Sequence, residues 1–219
     1  MFQLLITTIL LLPLQILATT TILNLKPLLP NSSPWSHEPC CTSSKSLTHL
    51  DQTFCVYTSN STGPYGLSLI LPPSVATVAI PHLATNPILS FLTQSQAQVL
   101  YLHSPPWTVV AIPGKDKGVV ATRRIEQYET FMIDQAAVVI DKTFEEAIDT
   151  DVRREMLKLA VQRLYTPGTI LDMSRKHAGE KGSAEEDVVR ANAFGSRVGG
   201  VETRALYPLI SVCIPSRPE

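Results

Sequence analysis

The chain of 219 residues has little with which to grip a polyanion or hold a transition metal. Its 18 Lys and Arg residues are balanced by 19 Asp and Glu residues, and the cations form no long run. Counterion-driven binding to nucleic acid needs clustered cations, so this balance argues against nucleic acid as a direct ligand. No G-x-x-x-x-G-K-[ST] phosphate loop is present, and no serine sits in a G-x-S-x-G elbow, which removes the common nucleotidase and serine-hydrolase patterns. His37, His49, His82, His103 and His177 stand apart, without the i, i+4 spacing that puts two metal ligands on one helical face. The four cysteines lack the two-pair rhythm of a zinc module, so no metal site is read. There is no internal repeat. With 44% hydrophobic and 17% charged residues, the chain still has enough apolar surface to bury a core, which excludes a disordered polymer.

What is present at the start is apolar. "MFQLLITTILLLPLQILATT" carries an uncharged run from Leu4 to Ala18, with Ile16 and Ala18 at the −3 and −1 positions of a cleavage site before Thr19. Residues 1–18 read as a secretory leader, and the chain is expected in the secretory pathway or outside the cell. No Lys or Arg precedes Lys26, which leaves an uncleaved anchor as the alternative; otherwise no stable membrane span is expected. A nuclear or cytoplasmic location follows only if the leader is not used. Asn31-Ser32-Ser33 and Asn60-Ser61-Thr62 are glycosylation triplets, making Asn31 and Asn60 candidate glycan sites. Cys40, Cys41 and Cys55 cluster here, while Cys213 stands alone. In an oxidising compartment one bond from Cys40 or Cys41 to Cys55 closes a short loop, with Cys41 and Cys55 the preferred pair.

Residues 19–106 are rich in Ser, Thr and Pro and read as an irregular, partly β segment, with a short helix near Ile88 to Leu100. At Trp107 the texture changes. "WTVVAI" predicts a strand, "PGKDKG" a turn, "VVATRRI" a second strand, "EQYE" a turn and "TFMIDQAAVVI" a third strand or strand pair. The period then shifts to 3.6. "TFEEAIDTDVRREMLKLAVQRLY" predicts one helix with Thr143 as N-cap, stopped by "TPG", and "SAEEDVVRANAF" predicts a second, opened by a Ser183–Glu186 capping box. The helical insert covers about 143–194. The paired acids Glu145–Glu146 and Glu185–Glu186 sit in first helical turns, where capping and the helix dipole account for them. The fold class is α+β.

Three pieces in that order carry a resemblance. "GKDKGVVATRRIEQYE" looks like an opening glycine-x-glycine-x-glycine signature followed by a later glycine-glutamate, "RANAFG" looks like a segment after a helical insert, and "ALYPLIS" looks like a leucine-phenylalanine-proline-glutamate-isoleucine-serine run. Together they resemble the SET domain, the fold of a large class of protein-lysine methyltransferases, and in particular fungal SET proteins that often carry a leader. The resemblance spans residues 107–219 and implies an incomplete SET-like fold of small curled sheets with a helical insert. It implies S-adenosylmethionine as cofactor and a lysine-bearing protein as substrate. Gly114, Lys115 and Gly118 match the cofactor turn, where the absence of a side chain lets backbone approach the ligand.

Two departures qualify what the resemblance implies. The middle glycine of the signature is Asp116, whose carboxylate would oppose that of the cofactor, and the glycine of the later turn is Tyr128. After Ser211 the family continues through arginine and a hydrophobic residue into asparagine-histidine-x-cysteine. Here the sequence is "VCIPSRPE", which puts Ile214 and Pro215 where asparagine and histidine stand, and proline offers neither a side-chain donor nor an N–H. The family's downstream tyrosine has no counterpart before Glu219, and Tyr207 reads as a core aromatic rather than its replacement. The expectation is therefore a truncated or degenerate SET relative with no catalytic residue to name, inactive in methyl transfer as the chain stands. The alternative is a secreted, non-enzymatic binding or structural protein on a SET-like scaffold.

Overall fold

A computed structural model describes residues 35–43, 52–84, 93, 94, 96, 105–112, 116–174 and 182–212. The expected leader, Asn31, the expected helix near Ile88 to Leu100, Gly114, Lys115 and Cys213 lie outside these residues. The architecture is α+β. A six-stranded mixed sheet has the order β1 (Cys40–Ser43), β2 (Thr53–Ser59), β3 (Leu67–Leu71), β6 (Val138–Asp141), β8 (Val201–Leu206), β7 (Ala193–Val198), and β4 (Trp107–Ile112) pairs with β5 (Asp116–Ala121) in a separate hairpin. Among the described residues no helix is long and apolar enough to cross a membrane.

The centre of the sheet is the parallel pair β3–β6, with Ser68, Leu69 and Ile70 opposite Val138, Val139 and Ile140. Every residue of both strands is buried. A strand buried on both faces reads as a continuous apolar run, and "LSLIL" and "VVID" fit that pattern. Leu67, Leu69 and Leu71 point with Val139, Cys55, Tyr57 and Ala205 toward helix α1 (Pro73–Ala84). Ile70, Val138 and Ile140 point the other way, with Phe54 and Val56, into a layer of helices: α2 (Phe144–Ala147), α3 (Thr150–Gln162), α4 (Pro167–Leu171) and α5 (Ala184–Asn192). Phe54 and Phe144 meet edge to face, with ring centroids 5.4 Å apart, at the middle of that layer.

The six-stranded sheet therefore runs across the boundary drawn near residue 106: the Ser/Thr/Pro-rich segment supplies three of its strands and α1. Cys41 and Cys55 are directly opposite on β1 and β2 and form a disulfide, leaving Cys40 exposed with a free thiol. The third strand expected from Thr130 is shorter, because residues 130–137 run irregularly and only Val138–Asp141 pair. The long helix expected from Thr143 is two helices. Ile148 is extended and Asp149 is the N-cap of α3, so Glu145 and Glu146 belong to the short α2 that precedes the break. "TPG" does not merely stop a helix either: Pro167 occupies the first turn of α4, where its missing N–H is of no consequence. The Ser183–Glu186 capping box is formed in both directions.

One buried polar link ties the sheet to the helical layer. Ser68 Oγ donates to Ala160 O of α3 at 2.6 Å and lies 2.9 Å from Thr58 Oγ1 of β2. Both Ser68 and Thr58 are fully buried. Ser68→Ala would strip partners from two buried oxygens at once. A loss of about 1–3 kcal/mol is expected, read as a lower urea midpoint with an unchanged slope.

Candidate functional site

The three pieces of sequence singled out above lie far apart in the chain, and a short helix gathers two of them with the segment following the first. That helix is α6 (Pro208–Ser211), the "PLIS" of "ALYPLIS". The first N–H groups of a helix have no acceptor inside it, and here a half-buried carboxylate meets them. Asp134 Oδ2 accepts from Leu209 N at 2.6 Å and from Ile210 N at 3.0 Å, while its Oδ1 accepts from Gln135 N at 2.8 Å. Burial holds the Asp134 carboxyl above the usual carboxylate range, against the opposing pull of the Ile210, Gln135 and Leu209 N–H groups. Burial also raises the Tyr65 phenol, with the negative charge of Asp134 adding to the effect.

The "RANAFG" piece joins from the other side. Ser211 Oγ lies 3.0 Å from Asn192 O and 2.7 Å from Tyr207 O, so its single proton serves two buried carbonyls. Asn192, itself buried, donates from Nδ2 to Val188 O at 3.0 Å and to Met173 O at 3.4 Å, tying α5 to the turn after α4. Tyr207 packs with Phe194, ring centroids 6.2 Å apart, and its hydroxyl lies 3.4 Å from Ser196 Oγ. It sits against the core cluster on the α1 face, as a packing aromatic.

The opening signature lies on the β4–β5 hairpin and the turn after it. Trp107 Nε1 donates to Phe131 O at 3.0 Å, which fixes the hairpin to the irregular segment leading to Asp134. In the turn between, Glu129 N donates to Glu126 O at 3.1 Å, and Tyr128 has φ +66°. A four-residue turn with positive φ at its third residue is the type II pattern, whose ordinary occupant there is glycine. Among the described residues Tyr128 is the only non-glycine in this region of backbone space. Arg123 clamps the turn by a bidentate contact to Glu129, at 2.6 and 3.1 Å, and this contact with the Glu126 N–H holds Glu129 down to about 2.

Of the expected cofactor residues only Gly118 is described. It is buried in β5 opposite Val110, and a Cβ placed on it would lie 2.3 Å from Ile112 Cδ1. The space over this glycine is filled by the chain's own isoleucine. Of the residues that the resemblance assigns to S-adenosylmethionine, Gly118 alone has described surroundings, and the end of the Ile112 side chain lies over it. Asn60 lies in the β2–β3 connection, its N–H donating to Ser36 Oγ at 2.8 Å, with Thr62 of the same triplet bonded to Ser59. No group of three or more His, Cys, Asp or Glu side chains able to hold a metal is found among the described residues. Sequence reading missed Asp134. Its signal was a lone acid inside the apolar run "FMIDQAAVVI", a charge that an edge or a cap must satisfy.

No protein-family model, curated protein or solved structure matches the chain.

Two measurements probe this region. Tyr128 is 93% exposed, so its replacement removes little packing. Left-handed backbone costs an L-residue about 1–2 kcal/mol, and the greater unfolded freedom of glycine returns part of that. Tyr128→Gly is expected to stabilise the fold by about 0.5–1 kcal/mol in chemical denaturation. The second concerns pH. Because the folded state raises Asp134, the stability it contributes is full below the ordinary value near ~3.9 and is lost as pH rises through the raised one. Asp134→Asn lacks that titration. The wild-type-minus-variant difference in unfolding free energy is expected to fall as pH rises from about 3 and to level off above the raised value.

Proposed function

We propose that the chain is a SET-type relative of the S-adenosylmethionine-dependent protein-lysine methyltransferases, one that does not itself transfer methyl groups. The observation that carries this reading is Tyr128. The resemblance puts a glycine at this position, and the backbone there has the positive φ that glycine serves. A chance match of letters would not select the one non-glycine among the described residues that adopts such a conformation. The junction at α6 adds support, since Asp134 and Asn192 bring residues from after the first matched piece and within the second onto the third.

The absence of activity rests on particular residues. Methyl transfer to a lysine amine is an in-line displacement, in which the protein's main task is to align nucleophile, methyl and sulfur and to exclude water. Ile112 fills the space over Gly118, Asp116 stands where the signature has a glycine, and Ile214–Pro215 replace the asparagine-histidine pair. A lysine-bearing protein remains the partner class that the family reading implies.

The Cys41–Cys55 disulfide favours a second reading, a secreted non-enzymatic binding or structural protein on the same scaffold. Such bonds persist in oxidising compartments and are rare in the cytosol. One preparation tests both. The full chain, expressed in a eukaryotic host, is expected to show no S-adenosylmethionine binding by calorimetry up to about 1 mM, and a micromolar Kd, on the order of −8 kcal/mol, would overturn the inactive reading. Recovery from the medium, beginning at Thr19 and carrying a glycan on Asn60, would favour the secreted protein; an unprocessed cytosolic or nuclear chain would count against it.

A further inference from the structure

The edge strand β1 carries each of its chemically specific partners in duplicate. Its four residues, Cys40-Cys41-Thr42-Ser43, run antiparallel to β2, with Cys41 opposite Cys55 and Ser43 opposite Thr53. The first pair is the disulfide, and in the second Ser43 Oγ lies 3.0 Å from Thr53 Oγ1. If β1 advances by one residue, Cys40 stands opposite Cys55 and Thr42 opposite Thr53. A cysteine again meets the cysteine, and a hydroxyl again meets the hydroxyl.

A slip of one residue turns every side chain of a strand to the other face, and it is resisted wherever one face is buried. β1 has no such face: Cys40, Cys41 and Ser43 are exposed and Thr42 is half-buried. β2 is buried from Phe54 to Ser59, so Cys55 keeps its place while β1 moves. The chain before β1 has length to spare. Ser36 N donates to Thr58 O at 2.8 Å while Cys40 stands opposite Val56, so residues 37–39 face only Tyr57 on β2. Moving Cys40 from Val56 to Cys55 takes up one residue of that slack. The anchor before it stays, with Asn60 N donating to Ser36 Oγ at 2.8 Å and the Trp35 and Tyr57 rings 5.2 Å apart. The exposed bond from Arg163 Nη1 to Glu38 O, 3.0 Å long, is the contact that the shift must carry with it.

We propose that β1 is a two-register strand, switched by thiol–disulfide exchange between Cys40 and the Cys41–Cys55 bond. Cys40 Sγ attacks Cys55 Sγ; the Cys40–Cys55 bond forms as the Cys41–Cys55 bond breaks, and the electron pair leaves on Cys41 Sγ. Cys40 gives one proton to solvent and Cys41 takes one up, so neither an oxidant nor a reductant is consumed. Paired residues share a face, which puts Cys40 with Val56 on the side of the helical layer and the disulfide on the side of α1. The exchange therefore needs β1 to lift from the sheet and turn over. An exposed edge strand of four residues opens locally at little cost, and the disulfide tethers it until the new bond forms. The exchange moves the free thiol from beside Val56 to beside Phe54 and carries Thr42 to the α1 side. The inference goes beyond the SET reading and does not depend on it, since none of these residues belongs to the matched pieces.

The test is a pulse of excess maleimide on the folded, oxidised full chain carrying Cys213→Ser, with the label located by peptide fragmentation between Cys40 and Cys41. Chemically alike cross-strand pairs keep the two registers within about tenfold of each other, so at least about one labelled molecule in ten is expected to carry the label on Cys41 alone. Ser43→Ala removes the hydroxyl pair of the described register and is expected to raise that share about twofold or more. Thr42→Val removes the pair of the second register and is expected to lower it by about the same factor. Label confined to Cys40, or a Cys41 share that fails to move in opposite directions in the two variants, would overturn the proposal. Neither substitution touches a buried position, so both variants report on the folded protein.

Discussion

The parallel pairing of β3 with β6 is the constraint from which the rest of the structure follows. A parallel pair cannot be closed by a tight turn, so more than sixty residues must leave the end of β3 at Leu71 and return at Val138. Both strands are apolar throughout, and burying both faces requires a layer on each side. Helix α1 supplies one layer and the α2–α5 group the other. Antiparallel β2 and β8 then flank the pair, and β1 and β7 are left as edges. The exposed pattern of β1 agrees with an edge position, and the disulfide to Cys55 ties that edge strand to the sheet.

Local features of this arrangement were legible in the sequence because short-range chemistry decides them. The Ser183–Glu186 box needs only three residues of separation, and the structure forms it. The β4–β5 hairpin pairs Ile112 with Asp116 across a short connection. The cysteine pairing was narrowed by loop closure, and the register chose Cys41 over Cys40 because Cys41 stands directly opposite Cys55. The parallel pair was not legible. "LSLIL" and "VVID" are apolar runs without alternation, and nothing in either run states its partner.

The misjudged helix boundaries share a cause. The period of apolar residues from Phe144 to Leu164 is continuous enough to suggest one helix, but Ile148 is only 6% exposed and in extended backbone. Its burial in the core cluster beside Phe144 and Leu157 is met by breaking the helix rather than by rotating it. Tertiary packing thus overrode a local preference worth tenths of a kcal/mol per residue, on the order of the propensity scale. Asp149 then becomes the N-cap of the next helix, although its side chain makes no capping hydrogen bond.

Two aspartates, one half-buried and one buried, show how position decides what a carboxylate holds. Asp134 and Asp141 both close short apolar runs, "FMID" and "VVID", and look alike in the sequence. Asp134 has both oxygens engaged by backbone N–H groups of the segments it joins, so its charge is consumed in holding α6. Asp141 is buried at the end of β6, and its Oδ1 accepts from both the N–H and the hydroxyl of Thr143, at the turn into α2. The two bonds from Thr143 offset the cost of burying a carboxylate at the edge of the parallel pair, so the charge there is used in the turn that follows β6.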